Sequence, residues 1–283
     1  MATSLTRKVI EANIAVHSRL AAHYQECEPH FRPENVAKVE ERVAALVRET
    51  RAECLLDLGC GTGFMINIAK RHVRRIVGVD VTPAMLERVD RSGPASIDLA
   101  NHDTGTYPVE PGAFQLVTAY SFLHHLADLA PTFRTASRAL VPGGKFYADL
   151  EPNFYFWQDI YKLERGGEYH PLVKREIEAV TYKDEEIEAK FGVSREVFNH
   201  AEFGKDLAGG FKEETLRAKL HESGFRHVEF RYHWFLGEGF LINSGAATRA
   251  ELFGQAEIIH EALQRALPVS RNLFKYLGFV ATK

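Results

Sequence analysis

Apolar positions change their spacing along this chain, and the changes mark its elements. In the first fifty residues Val9, Ile10, Ile14, Ala15, Leu20 and Ala21 recur at helical intervals, as do Val36, Val39, Val43, Leu46 and Val47 after Pro33, so residues 1–50 read as a helical cap. The pattern then turns to short apolar runs bounded by glycine and polar residues: Leu55-Leu56-Asp57-Leu58, Ile76-Val77-Gly78-Val79, residues 95–99 and residues 114–120. These are buried strands. Helix-period stretches lie between them, residues 132–140 most clearly, and a fifth strand is predicted in the run ending at Leu150. Alternation of this kind argues for an α/β fold with a doubly wound, mostly parallel sheet covered on both faces. Farther on, residues 212–223 carry Leu216 and Leu220 on one helical face with Gly224 as the C-cap, residues 225–230 read as a sixth strand, residues 247–267 as helical and residues 273–281 as the closing strand.

Residues 51–150 thus form one half of a core that resumes at 211–283, and residues 151–210 are an insertion too long for an ordinary connection. The insertion is rich in aromatic side chains, from Phe154 and Trp157 to Tyr182, Phe198 and Phe203. A helical lid that builds a substrate pocket for an apolar or ring-bearing molecule is one reading, with Glu151, Phe154 and Trp157 among the pocket residues. The plainer one is that the aromatics glue the lid helices to the sheet or make a homodimer contact.

The chemistry concentrates in Asp57-Leu58-Gly59-Cys60-Gly61-Thr62-Gly63-Phe64, a strand breaking into a glycine turn that opens a helix. Glycines let the backbone turn tightly and present N–H groups to a ligand. The dinucleotide pattern G-x-G-x-x-G would need glycine where Phe64 stands, which weakens a nicotinamide-cofactor reading. Glycines at 59, 61 and 63 with an acid two residues before the first make D-x-G-x-G-x-G, which resembles the class I S-adenosylmethionine-dependent methyltransferases. Three further segments fit that family: Val79-Asp80 about 20 residues downstream, where an acid takes the ribose hydroxyls; Asn101-His102-Asp103 ending the third strand; and Leu140-Val141-Pro142-Gly143-Gly144 before the fifth.

The resemblance implies a Rossmann-like seven-stranded sheet with an antiparallel last strand, and S-adenosyl-L-methionine as cofactor with S-adenosyl-L-homocysteine as product. It places Asp57 near the sulfonium or ammonium, Asp80 on the ribose and Asp103 on the adenine amine, the alternative for Asp103 being a turn residue ahead of Thr104-Gly105. Gly59, Cys60, Gly61, Gly63, Phe64, Val81, Met85, His102, Thr104 and Tyr120 complete the implied cofactor contacts. From the cap, Tyr24, Phe31 and Arg32 are the candidates to close over the site, Phe31 on the acceptor side, unless they only pack the cap. Thr82 is expected to cap the next helix ahead of Pro83.

At the end of the fourth strand stands Tyr120-Ser121-Phe122-Leu123-His124-His125 in place of the Asn/Asp-Pro-Pro-Tyr/Phe tetrad of base and amide methylators, which looks like the small-molecule methyltransferases. Ligands of open α/β sheets bind at this edge, so His124 and His125 are the candidate general bases, with Tyr120 and Glu151 behind them. A structural role for either histidine is the plain alternative. No metal-ligand spacing is present, and a metal is not expected.

Net charge and hydropathy bound the partners. A formal charge of −3 and a pI near 6.5 argue against a polyanion, so a small-molecule substrate and no nucleic acid are expected. The basic run Lys70-Arg71-His72-Val73-Arg74-Arg75 sits where a helix ends and complements its dipole. No apolar stretch approaches the roughly 20 residues of a membrane span and no hydrophobic signal core opens the chain, so no membrane partner and a cytoplasmic location are expected. Cys27, Cys54 and Cys60 form no framework and read as free thiols. The expected activity is methyl transfer to an O, N or C atom of a small molecule by in-line displacement at the sulfonium methyl. Methylation of protein or RNA, and a cofactor-pocket protein without transfer, are the alternatives.

Overall fold

The computed structural model describes residues 3–283; Met1 and Ala2, which begin the expected cap, lie outside the described residues. Ahead of the sheet come α1 (Ser4–Leu20), α2 (Tyr24–Cys27), a 3-10 turn at Pro29–Phe31 and α3 (Pro33–Thr50). The strands are β1 (Cys54–Leu58), β2 (Arg75–Asp80), β3 (Ser96–Asn101), β4 (Phe114–Tyr120), β5 (Leu140–Pro152), β6 (His227–Phe235) and β7 (Phe274–Thr282). They form one seven-stranded sheet in the order β3-β2-β1-β4-β5-β7-β6, parallel except for β7, which runs antiparallel to β5 and β6. This is the Rossmann-like methyltransferase fold that the sequence implied.

Strand geometry explains why both faces are apolar. Side chains alternate across a strand. Leu55, Ile76 and Leu116 therefore join Val39, Val43 and Leu46 of α3 on one face. Their neighbours Leu56, Val77 and Val117 join Phe133 and Phe146 on the other. Strand order reverses between β1 and β4, and the crevice at their carboxyl ends is where such sheets hold ligands.

Helices α4 (Phe64–Ala69), α5 (Pro83–Leu86) and α6 (Ala130–Ala139) lie in the β1–β2, β2–β3 and β4–β5 connections. Thr82 occupies the N-cap of α5 with Pro83 beside it but caps nothing with its side chain, and α5 lasts four residues. The Pro142-Gly143-Gly144 turn is absorbed into β5 as an irregularity: Leu140 pairs with Phe114, then the ladder resumes at Lys145 opposite Leu116. β6 runs five residues past its expected end, to Phe235.

After β5 come α7 (Phe154–Tyr161), α8 (Pro171–Thr181), α9 (Lys183–Phe191), α10 (Arg195–Ala201) and a π-turn at Phe203–Leu207. α11 (Glu213–Glu222) precedes β6, and α12 (Glu238–Ile242) and α13 (Arg249–Arg265) separate β6 from β7. The insertion and the N-terminal helix share a small core in which Ala12, Val16 and Leu20 meet Ile187, Val193, Phe198 and Ala201. α1 is thereby carried over the sheet's carboxyl edge. Among the described residues no helix is long and apolar enough to cross a membrane.

Candidate functional site

The glycine turn is tied to β2 through its first three residues. Gly59 and Cys60 donate their N–H groups to Val79 O at 2.8 and 3.1 Å, and Gly61 N donates to Asp80 Oδ2 at 2.9 Å. Gly59 has φ +73°, and a Cβ there would lie 2.0 Å from the Phe122 ring, so only glycine fits. A Cβ on Gly61 would meet nothing nearer than Met85 Cε at 3.5 Å, so that position opens into the cleft. Asp80 Oδ1 takes a second backbone donor, Thr82 N at 2.8 Å, and burial still raises its carboxyl pKa above the usual value.

A cleft opens above this turn. Its wall contains Tyr24, Gly59, Cys60, Gly61, Phe64, Asp80, Val81, Met85, Asp103, Thr104, Tyr120 and His125 from the sequence-derived candidates. Asp57, Gly63 and His102 are not on it. Asp57 lies beneath the turn, where Oδ1 accepts from Thr118 Oγ1 at 2.7 Å and Oδ2 has no partner; burial lifts its pKa to about 7 against the Thr118 bond. Gly63 is the N-cap of α4, in left-handed conformation. His102 is exposed and turns back on Asp103 O. Asp103 is on the wall and makes the turn as well, its Oδ1 accepting Gly105 N at 3.0 Å.

A second cavity of about 350 Å³ adjoins the cleft and shares His17, Tyr24, His30, Ser121 and His125 with it. Trp157 and His124 line it. Glu151 and Phe154 line neither space. Glu151 is fully buried and holds the loop after β4: Oε1 accepts Phe122 N and Leu123 N at 2.9 and 2.8 Å, Oε2 accepts His124 N at 3.0 Å and faces His124 Nδ1 at 2.8 Å. Phe154 packs under Lys212, 4.2 Å from its ring. Phe31 and Arg32 face other hollows, beside α4 and beside α8. Phe31 joins His30, Phe64 and Tyr120 in an aromatic cluster with ring separations from 4.6 to 5.7 Å.

The two adjacent histidines part company. Burial opposes charge on His124, but the Glu151 charge and hydrogen bond, with Glu202 beyond, outweigh it and raise the pKa. Burial and then the charge on His124 push His125 well below the usual value. His125 Nδ1 lies 2.8 Å from Ala201 O, and a carbonyl can only accept, so the neutral ring carries its proton there and leaves Nε2 with a lone pair. His124, His125 and Glu202 lie close enough to suggest a metal site that sequence spacing did not show. The fit is poor. Lys205 is already paired with Glu202, and His125 Nδ1 is engaged by Ala201 O.

Sequence reading missed Ile10, Asn13 and His17 of α1, which lie on the cleft wall. Their spacing at i, i+3 and i+7 puts them on one helical face, and that was the available signal. Asn13 Nδ2 donates to His125 O at 3.0 Å, and the His17 and His125 rings meet edge to face at 4.8 Å. His30 and Thr62 on the wall were likewise missed, as were Glu202 and Lys205 in the adjoining cavity. Three non-glycine residues with positive φ, Ser121 (50°), Leu150 (60°) and Trp234 (54°), also line that cavity, the kind of strain that gathers at ligand sites.

Comparison with known proteins matches residues 56–148 to a family described as methyltransferase domain. The chain is 30% identical over 118 residues to a 27-O-demethylrifamycin SV methyltransferase of Amycolatopsis mediterranei, covering 40% of this chain and 43% of that one. It is 27% identical over 143 residues to an 18S rRNA (guanine-N(7))-methyltransferase of Schizosaccharomyces pombe, covering 49% of each. The chain thus spans about half the length of the curated relatives it matches. A crystal structure of an S-adenosylmethionine-dependent methyltransferase from Archaeoglobus fulgidus superposes with a TM-score of 0.54 at 16% identity, over 92% of this chain and all of that one, which is a likeness of fold.

Proposed function

We propose, for a chain that belongs to the class I S-adenosylmethionine-dependent methyltransferases, that it methylates a proton-bearing nucleophile, foremost a hydroxyl, of a small molecule seated in the 350 Å³ cavity. The observation that carries this reading is the seam between that cavity and the cleft, where His125 stands neutral with Nε2 unprotonated. The residues suit the donor: acids stand at the ends of β2 and β3, and the neighbouring turn after β1 has no side chain at Gly61. S-adenosylmethionine supplies an electrophilic methyl on sulfur, whose transfer needs alignment and exclusion of water more than strong acid–base chemistry.

In this reading Asp80 holds the ribose, Asp103 the adenine edge, and α1 with Tyr24 keeps water from the seam. His125 Nε2 takes the proton from the acceptor. His124 acts through its neighbour: Glu151 favours its charged form, and that charge adds to burial in disfavouring a proton on His125. A cavity of this size falls at the lower end of the roughly 300–1,000 Å³ of small-molecule sites.

The rRNA relative supports a second reading, methylation of a ring nitrogen, which has no proton to lose and needs no base. Incubating the protein with methyl-labelled S-adenosylmethionine and cell extract, then fractionating by size, separates the two. Label in the small-molecule fraction, lost by about 100-fold or more in His125→Asn while S-adenosylhomocysteine still binds, is the expected result. Label in RNA or protein overturns it.

A further inference from the structure

We infer that His30 and Thr62 form the subsite for the carboxylate of the cofactor's amino-acid tail, a pair of neutral donors where a lysine or arginine would be the obvious choice. The inference rests on the cofactor reading above. Sheet order lays a ligand across the carboxyl ends of β3, β2, β1 and β4 in turn. With adenine at Asp103 and ribose at Asp80, the tail falls between the glycine turn after β1 and Tyr120 at the end of β4. His30 packs there, its ring 5.0 Å from Phe64 and 5.7 Å from Tyr120. Thr62 lies within the turn itself.

Among the described residues, the cleft wall holds no lysine or arginine. An anionic group entering it must be met by uncharged donors. Two buried side-chain polar atoms on the wall have no hydrogen-bond partner: His30 Nδ1, in a residue 3% exposed, and Thr62 Oγ1, in a residue 2% exposed. Buried polar groups are almost always paired, and leaving one unmade is costly, so an exception on a ligand wall points to the ligand. Several other polar side chains of the wall are engaged within the protein: Asn13 with Val9 O and His125 O, His17 Nδ1 with Asn13 O, Thr104 with Thr132, and Tyr120 with Asn35.

His30 is also held in place for such a role. Asn35 Nδ2 donates both to His30 O at 2.8 Å and to Tyr120 OH at 3.0 Å, which fixes the turn that carries the ring. Burial, and then the charge on His124, bring the His30 pKa down to about 3, so the ring meets an anion as a neutral N–H donor. Its neutrality keeps an unpaired cation out of the buried seam.

Calorimetric titration with S-adenosylhomocysteine and with 5′-methylthioadenosine, which lacks the amino-acid tail, tests this on the full chain. His30→Phe and Thr62→Val should each weaken S-adenosylhomocysteine binding by about tenfold or more and leave 5′-methylthioadenosine binding unchanged. Should His30→Phe fail to fold, Thr62→Val, which removes only a hydroxyl, decides alone. Equal loss for both ligands, or no loss for either, overturns the assignment, as does a wild-type protein that binds the two ligands equally well; in that last case the cofactor reading survives. A wild-type protein that binds neither ligand removes both.

Discussion

Glu151 grips His124 twice, with Oε2 accepting the backbone N–H at 3.0 Å and lying 2.8 Å from ring Nδ1. The other oxygen takes two more backbone donors, so a single buried carboxylate organises the loop that presents both histidines. Glu151→Gln keeps the volume but places an amide donor against N–H groups. It should lower stability by roughly 3 kcal/mol, read by chemical denaturation at neutral pH.

The same pair has a pH signature. A histidine whose pKa is raised on folding adds stability that is fully present below its unfolded pKa, about 6.5, and is lost as pH rises through the higher folded value. Wild-type stability should therefore decline above neutral pH through His124. Glu151→Gln should flatten that decline, and parallel curves for the two proteins would contradict the pairing.

Asp57 is a buried carboxyl whose ionisation costs stability. Its pKa of about 7 against an ordinary value of 3.8 means that the folded state binds a proton the unfolded state has released, so stability falls as pH rises between those values. Asp57→Asn can keep the Thr118 bond and removes the cost of a buried charge. It should gain roughly 1–3 kcal/mol at pH 8, read by thermal melts of the two proteins.

The cleft encloses about 70 Å³, well under the roughly 300 Å³ at which small-molecule sites begin, and Ile10, Asn13 and His17 of α1 form part of its wall. Binding is expected to shift that helix. Asn13, which joins α1 to His125 O, is the latch. Hydrogen exchange across Ser4–Leu20 should change on adding S-adenosylhomocysteine, and Asn13→Ala should speed exchange there in the free protein.

The core and the cofactor edge were legible in the sequence because parallel strands read as continuous apolar runs and a glycine turn leaves a spaced signature. Asp80, Gly59 and Gly61 stand on the cleft wall as spacing suggested, while Gly63 caps α4 instead. Glu151 reads as a pocket residue from sequence because nothing there separates an acid facing a ligand from one turned inward to hold a loop. His30 and Glu202 were overlooked for a related reason. Each comes to the site through tertiary packing, from the connection before α3 and from the end of α10, and carries no motif. The meeting of α1 with α10 is a contact between residues almost two hundred positions apart, which local periodicity does not encode.

Asp80→Ala removes the acceptor for the Gly61 N–H and the expected ribose partner together. Cofactor affinity should fall by about 1–3 kcal/mol. Calorimetry with S-adenosylhomocysteine measures it, and an unchanged affinity would place the ribose elsewhere.

The most direct measurement is a crystal structure with S-adenosylhomocysteine bound. The account predicts the product stretched from Asp103 past Asp80 and over the glycine turn, its sulfur at the seam beside His125 and its carboxylate at His30 and Thr62. A product molecule lodged away from the glycine turn, with the cleft still closed by α1, would contradict it.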